Sequence, residues 1–152
     1  PEWLASLAAA ASKPNVGAAT GYRWLISENG KLGSELASAW NGSVASALGP
    51  NTNSNFCWGG SMAIRREIFD RLDVRTRWKG VLSDDFALTK AVHDAGLELE
   101  FVPRALCATF EHQAFLQMLE FTTRQMKITR VYSPHLWLLS MFGSALFCGV
   151  RM

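Results

Sequence analysis

The sequence predicts an α/β fold. Three observations carry that prediction. Segments 16–26 and 97–102 read as strands, short and bounded by turn residues. Segments 3–11, 32–48, 84–95 and 112–131 repeat apolar residues at helical spacing. The two kinds of segment take turns along the chain, which is the pattern of helices packed on a sheet. The 152 residues are enough for one domain with a core. A chain that is 49% hydrophobic and 18% charged is not disordered. Fifteen Lys and Arg against 13 Asp and Glu leave a formal charge of +2, which gives no case for a nucleic-acid partner. The three cysteines, Cys57, Cys107 and Cys148, form no CxxC pair. They predict neither a disulfide framework nor a structural zinc site, and fit a reducing compartment.

The elements follow in order. Trp3, Leu4, Leu7, Ala8 and Ala11 lie on one helical face between Pro1 and Lys13-Pro14. The small residues of VGAATGYRWLI suit a packed, central strand over 16–26. Leu32, Leu36, Trp40, Val44 and Leu48 recur every four residues and predict an apolar helix face that Gly49-Pro50 ends. A polar loop, NTNSN, leads to FCWGG, a short strand over 61–64 and a short helix over 65–72. Ser83 is a natural N-cap for a helix over 84–95, with Gly96 as its stop. Leu97, Leu99 and Phe101 alternate with Glu98 and Glu100 in a half-buried strand that Pro103 is expected to end. After the helix over 112–131, residues 136–150 carry no charge. That run is short of the roughly 20 apolar residues of a membrane span. It reads as a buried helix, an interfacial segment or the first part of a span. With the start at Pro1-Glu2, it leads to the expectation of a piece cut from a longer protein.

Asp84 and Asp85 stand side by side at the start of a helix. The plain reading is capping, because a helix N-terminus favours negative charge. A chemical reading competes with it. The pair follows a glycine-containing aromatic loop, RWKGVL, at a loop-to-helix junction of the kind where α/β proteins place reactive groups. Downstream, Arg124, Lys127 and Arg130 lie on adjoining parts of one helix surface. Three cations beside an apolar segment suit a phosphate group or an anionic lipid surface, or are a solvated face flanking a membrane. His93 reads as a helix surface residue. Trp58 and Trp78 are candidates for stacking on a sugar or lipid, or for core packing.

Four stretches, in order, resemble the catalytic domain of membrane family 2 glycosyltransferases, especially the ceramide glucosyltransferase branch. Val16–Arg23 is similar to the strand after the metal-binding region. NFCWGGSMAIRR, 55–66, resembles the acceptor-site stretch. Ser83-Asp84-Asp85, with Leu88 and Gly96, resembles the motif whose last aspartate is the catalytic base. Arg124-Gln125-Met126-Lys127-Ile128 occupies the place of the (Q/R)xxRW motif, with Lys127 and Ile128 replacing its Arg and Trp. The DxD metal motif of the family has no counterpart in this chain.

The resemblance implies the C-terminal half of a GT-A-like fold, followed by an amphipathic helix and the start of a membrane helix. It implies three parts: an acceptor and base half at 1–110, an interface helix at 111–133, and a transmembrane or membrane-embedded segment at 134–152. The implied reaction is inverting transfer of a hexose from a nucleotide sugar, with UDP-glucose the family default, to a lipid hydroxyl. Asp85 would be the base and Asp84 its neighbour. Cys57, Trp58, Gly59, Gly60, Ser61, Arg124, Gln125, Lys127 and Arg130 would contact acceptor or donor. A divalent cation, Mg²⁺ or Mn²⁺, is expected to take its ligands outside this chain. The location implied is a membrane, with catalysis on the cytoplasmic side. Alternatives are a growing polysaccharide as acceptor, a phosphoryl-transfer enzyme using Asp84 and Asp85 as Mg²⁺ ligands, and a non-catalytic peripheral membrane module.

Overall fold

The computed structural model describes residues 2–28 and 30–150. Pro1, Asn29, Arg151, Met152 and the side chains of Ser144, Phe147, Cys148 and Val150 lie outside that description. The elements, in chain order, are α1 (Glu2–Ala11), β1 (Val16–Ser27), α2 (Leu32–Ala45), β2 (Met62–Ala63), α3 (Arg66–Arg71), α4 (Val74–Arg77), α5 (Asp84–Asp94), β3 (Glu98–Glu111), α6 (Phe115–Tyr132) and α7 (Pro134–Val150).

Small residues make β1 the centre. Side chains alternate between the faces of a strand, so Ala18 and Ala19 point opposite ways. Both are fully buried. Ala18 joins a cluster with Leu72, Val74, Leu88, Val92 and Leu99. Ala19 joins a second cluster with Leu7, Ala10, Val102 and Ala105. Helices therefore cover both faces of the sheet, α1 on one side and α3 to α5 on the other. Among the described residues the strand order is β2-β1-β3. β1 runs parallel to β3 and antiparallel to β2.

Pro103 does not end β3, contrary to the sequence expectation. The register runs Thr20↔Phe101 and resumes at Tyr22↔Leu106, so β3 carries extra residues between those pairs. Pro103 falls in this irregular stretch of an edge strand, where its missing N–H leaves no ladder bond broken. Gly21 lies at the same place. A Cβ on it would come within 2.3 Å of the Ala105 carbonyl oxygen and the Ser61 hydroxyl.

Helix α2 also departs from its predicted face. Gly33, Ser34, Ala37 and Asn41 are its buried residues, while Leu32 and Leu36 are exposed. The small face lets the helix lie close to its neighbours. A Cβ on Gly33 would stand 2.6 Å from the Gln113 carbonyl oxygen. Asn41 fastens it to β1, its Oδ1 accepting the Leu25 N–H at 3.1 Å and its carbonyl accepting the Tyr22 hydroxyl. Of the apolar face that the spacing predicted, Trp40 meets Phe121 of α6 edge to face at 5.5 Å, and Leu48, beyond the helix end, is buried.

No helix of the described residues is long and apolar enough to cross a membrane. The uncharged segment at 136–150, expected to begin a transmembrane helix, lies in the 17-residue α7. α7 packs on α6 and leaves Leu139, Phe142 and Leu146 exposed.

Candidate active site

A cleft of about 940 Å³ opens between α2, the 54–59 loop, α5 and α6. Asp84 and Asp85 stand on one wall. The local chain dictates their placement. Ser83 adopts an extended backbone (φ −146°, ψ 121°) and caps α5. Its hydroxyl hydrogen-bonds the Asp85 carboxylate. The same carboxylate accepts the Phe86 N–H through Oδ1 at 2.9 Å and the Gly59 N–H through Oδ2 at 3.2 Å. Asp84 turns its Oδ1 back to the Asp85 N–H at 3.0 Å. Trp78 donates its indole N–H to the Asp84 carbonyl at 3.0 Å and packs edge to face on Phe69. Asp84 thus bonds the helix start, while Asp85 reaches across to the glycine loop.

That loop is held firmly. Buried Asn55 donates to the Gly49 and Leu99 carbonyls, each at 2.9 Å, and accepts the Gly49 N–H. Thr89, one turn after Asp85, accepts the Cys57 N–H at 2.9 Å. Thr20 of β1 accepts the Trp58 N–H at 2.9 Å, and the Trp58 ring rests on Tyr22 with centroids 4.5 Å apart. Burial, with the carboxylates of Asp85 and Asp84 adding to it, pushes the Cys57 thiol up to about 12, against the bond to Thr89. Cys57 is therefore a protonated packing residue and not a nucleophile.

The opposite wall belongs to α6, whose inward residues are Phe121, Arg124, Gln125, Ile128, Thr129 and Tyr132. Tyr132 stacks on Phe86 at 5.3 Å. Its oxygen accepts the N–H groups of Leu82 at 2.9 Å and Ser83 at 3.2 Å. Helical phase separates the basic residues that looked alike in sequence. Lys127 and Arg130 turn away, into a separate groove of about 320 Å³ with Thr122, Thr123, Met126 and Trp137. The Arg130 guanidinium lies 5.2 Å from the Trp137 ring centroid.

The structure brings Asp84, Asp85, Cys57, Trp58, Gly59, Arg124 and Gln125 to one cleft. Gly60 and Ser61 lie outside its lining. Ser61 is buried, donating to the Ala105 carbonyl and accepting the Trp3 indole N–H, each at 3.0 Å. Tyr132, Arg23, Trp40 and His93 line the cleft without having been picked out as site residues. Trp40 had a signal, its helical spacing, but that spacing pointed equally to the core. His93 is half-buried, and its Nε2 has no hydrogen-bond partner. Burial lowers its pKa, with Asp94 opposing. No group of three or more His, Cys, Asp or Glu among the described residues is placed to hold a metal ion. The divalent cation is expected to take its ligands outside this chain, and the chemistry proposed for these residues uses no metal ion.

The family model described as glycosyl transferase family 21 matches residues 1–152. The chain belongs to this family. No curated protein and no solved structure matches it. Glycosyl transfer is the reaction class of family 21, which implies a nucleotide-sugar donor and an acceptor. A carboxylate is oriented by three donors at one wall, with a guanidinium on the other.

Proposed function

We propose that this chain supplies the acceptor and base part of an inverting glycosyltransferase that moves a hexose from a nucleotide sugar to a lipid hydroxyl. UDP-glucose is the donor that the sequence resemblance favours. The observation that carries the reading is Asp85, whose carboxylate is aimed into the cleft by the Ser83 hydroxyl and the amides of Phe86 and Gly59. Asp85 takes the proton of the acceptor hydroxyl as that oxygen bonds to the anomeric carbon. The bond from that carbon to the leaving diphosphate breaks on the opposite face, with inversion. Arg124 offsets the charge growing on the diphosphate. Any divalent cation takes its ligands from outside this chain.

The apolar part of the cleft wall, Trp40, Val44, Phe121, Ile128 and Leu136, supports a lipid acceptor over a polysaccharide. The exposed apolar residues of α6 and α7 support a position at a membrane, and the sequence resemblance favours its cytoplasmic side for catalysis. In this reading residues 1–110 are the acceptor and base part, 111–133 the interface helix and 134–152 a membrane-embedded segment.

The test is Asp85→Asn in the full-length enzyme. The amide keeps the shape but takes no proton. Turnover is expected to fall by at least about 100-fold, the lower end for general-base catalysis, with donor affinity nearly unchanged. Asp84→Asn is expected to cost less, because Asp84 bonds only the helix start and asparagine also caps well. If Asp85→Asn keeps more than about a tenth of wild-type turnover, the pair merely caps α5 and the mechanism is wrong.

A further inference from the structure

We propose that Tyr132 is a positioning residue for Asp85, clasping the loop before the base to helix α6. The inference rests on the reading of Asp85 as the base. The loop before Asp85 is poorly anchored by burial, since Leu82 is exposed. Two consecutive backbone amides in this loop, Leu82 and Ser83, both donate to the Tyr132 oxygen. A phenolic oxygen accepts both with its two lone pairs.

The consequence runs through Ser83. Its backbone is held by Tyr132, its side chain caps α5, and its hydroxyl bonds the Asp85 carboxylate. The Tyr132 ring adds a second hold by stacking on Phe86, one residue after the base, with an interplanar angle of 16°. Tyr132 thus reaches residues on both sides of Asp85 without touching the carboxylate. It is also the last residue of α6, the helix whose inner face supplies Arg124. The clasp therefore ties the wall that faces the leaving group to the wall that carries the base. A shift of about 1 Å in a catalytic group can cost on the order of 100-fold in rate, so a tie of this kind acts on turnover rather than on binding.

Tyr132→Phe in the full-length enzyme isolates the hydroxyl, because it keeps the stacked ring. Hydrogen exchange by mass spectrometry is read on the peptide covering 80–86. Turnover and UDP affinity are measured on the same preparations. Faster exchange in that peptide, a turnover loss of about tenfold or more and a UDP affinity within twofold of wild type are expected. Asp85→Asn with Tyr132→Phe is expected to be no slower than Asp85→Asn alone, since a residue acting only through the base has nothing left to position. Unchanged exchange at 80–86, turnover within twofold of wild type, or a further loss on the Asp85→Asn background equal to that in wild type would each overturn the proposal. So would wild-type amides at 82 and 83 that exchange as fast as those of an unbonded loop, a measurement that needs no variant. A fully active Asp85→Asn enzyme would instead remove the base assignment itself, whereas the exchange data report on the clasp whichever group is the base.

Discussion

Gly59 shows how much one missing methyl decides. Its N–H donates to Asp85 Oδ2 at 3.2 Å, and a Cβ in its place would also lie 3.2 Å from that oxygen. Its φ is not positive, so alanine suits the backbone and the whole effect falls on the carboxylate. Gly59→Ala should push Asp85 aside by a few tenths of an ångström. Turnover should drop by about three- to tenfold, a fraction of the penalty for a full ångström. The melting temperature should stay within a degree or two. Steady-state kinetics and a thermal melt on one preparation test this. Unchanged turnover would show that the glycine loop does not hold the base during reaction. Cys57, two residues earlier, shows the opposite lesson. It has a reactive atom in the right cleft, and burial removes its reactivity.

Helix α5 is the element on which the site depends, and its two ends do different work. Its N-terminus presents Asp85. Its C-terminus closes through Gly96 at φ +68°, with the Leu97 N–H bonded to the Val92 carbonyl at 3.1 Å. An alanine at 96 has to enter the left-handed region, which costs about 1–2 kcal/mol. Gly96→Ala should therefore lower the unfolding free energy, read by chemical denaturation, by that amount, while turnover below the transition stays near wild type. A matching loss of turnover would show that the far end of α5 reaches the site. Helix α2 carries a second lesson at this scale. Its leucines and Trp40 repeat like a core face, yet the residues against the sheet are small or polar ones, because close approach to β1 needs small side chains.

The whole molecule is held by two clusters on opposite faces of a narrow sheet. Leu99 of β3 is fully buried beside Leu88, Ala91 and Val92 of α5. It connects the strand to the helix that carries the base. Leu99→Ala should cost about 2–5 kcal/mol, a large share of the roughly 5–15 kcal/mol that holds a typical domain together. Chemical denaturation should show that loss. Unlike Gly96→Ala, this variant should also lose activity at moderate temperature, as the unfolded fraction grows. A loss below about 1 kcal/mol would mean that the interface between β3 and α5 is not the main support.

The sequence alone determined most elements, the caps of α5 and the central place of β1. These depend on residues close in the chain: a serine before two aspartates, a glycine at a positive φ, small residues in a row. The family-like order of motifs was legible for the same reason. The tertiary structure alone decided which distant groups reach Asp85 and the loop before it. The Gly59 amide comes from 26 residues away, and Tyr132 contacts Leu82 from 50 residues away. It also decided that Arg124 faces the cleft while Lys127 and Arg130 do not. It carried β3 past Pro103 through an irregular register and turned α2 to its small face. Helical phase against a partner, strand register and close backbone approach are all set by packing between distant segments, and no local pattern encodes them.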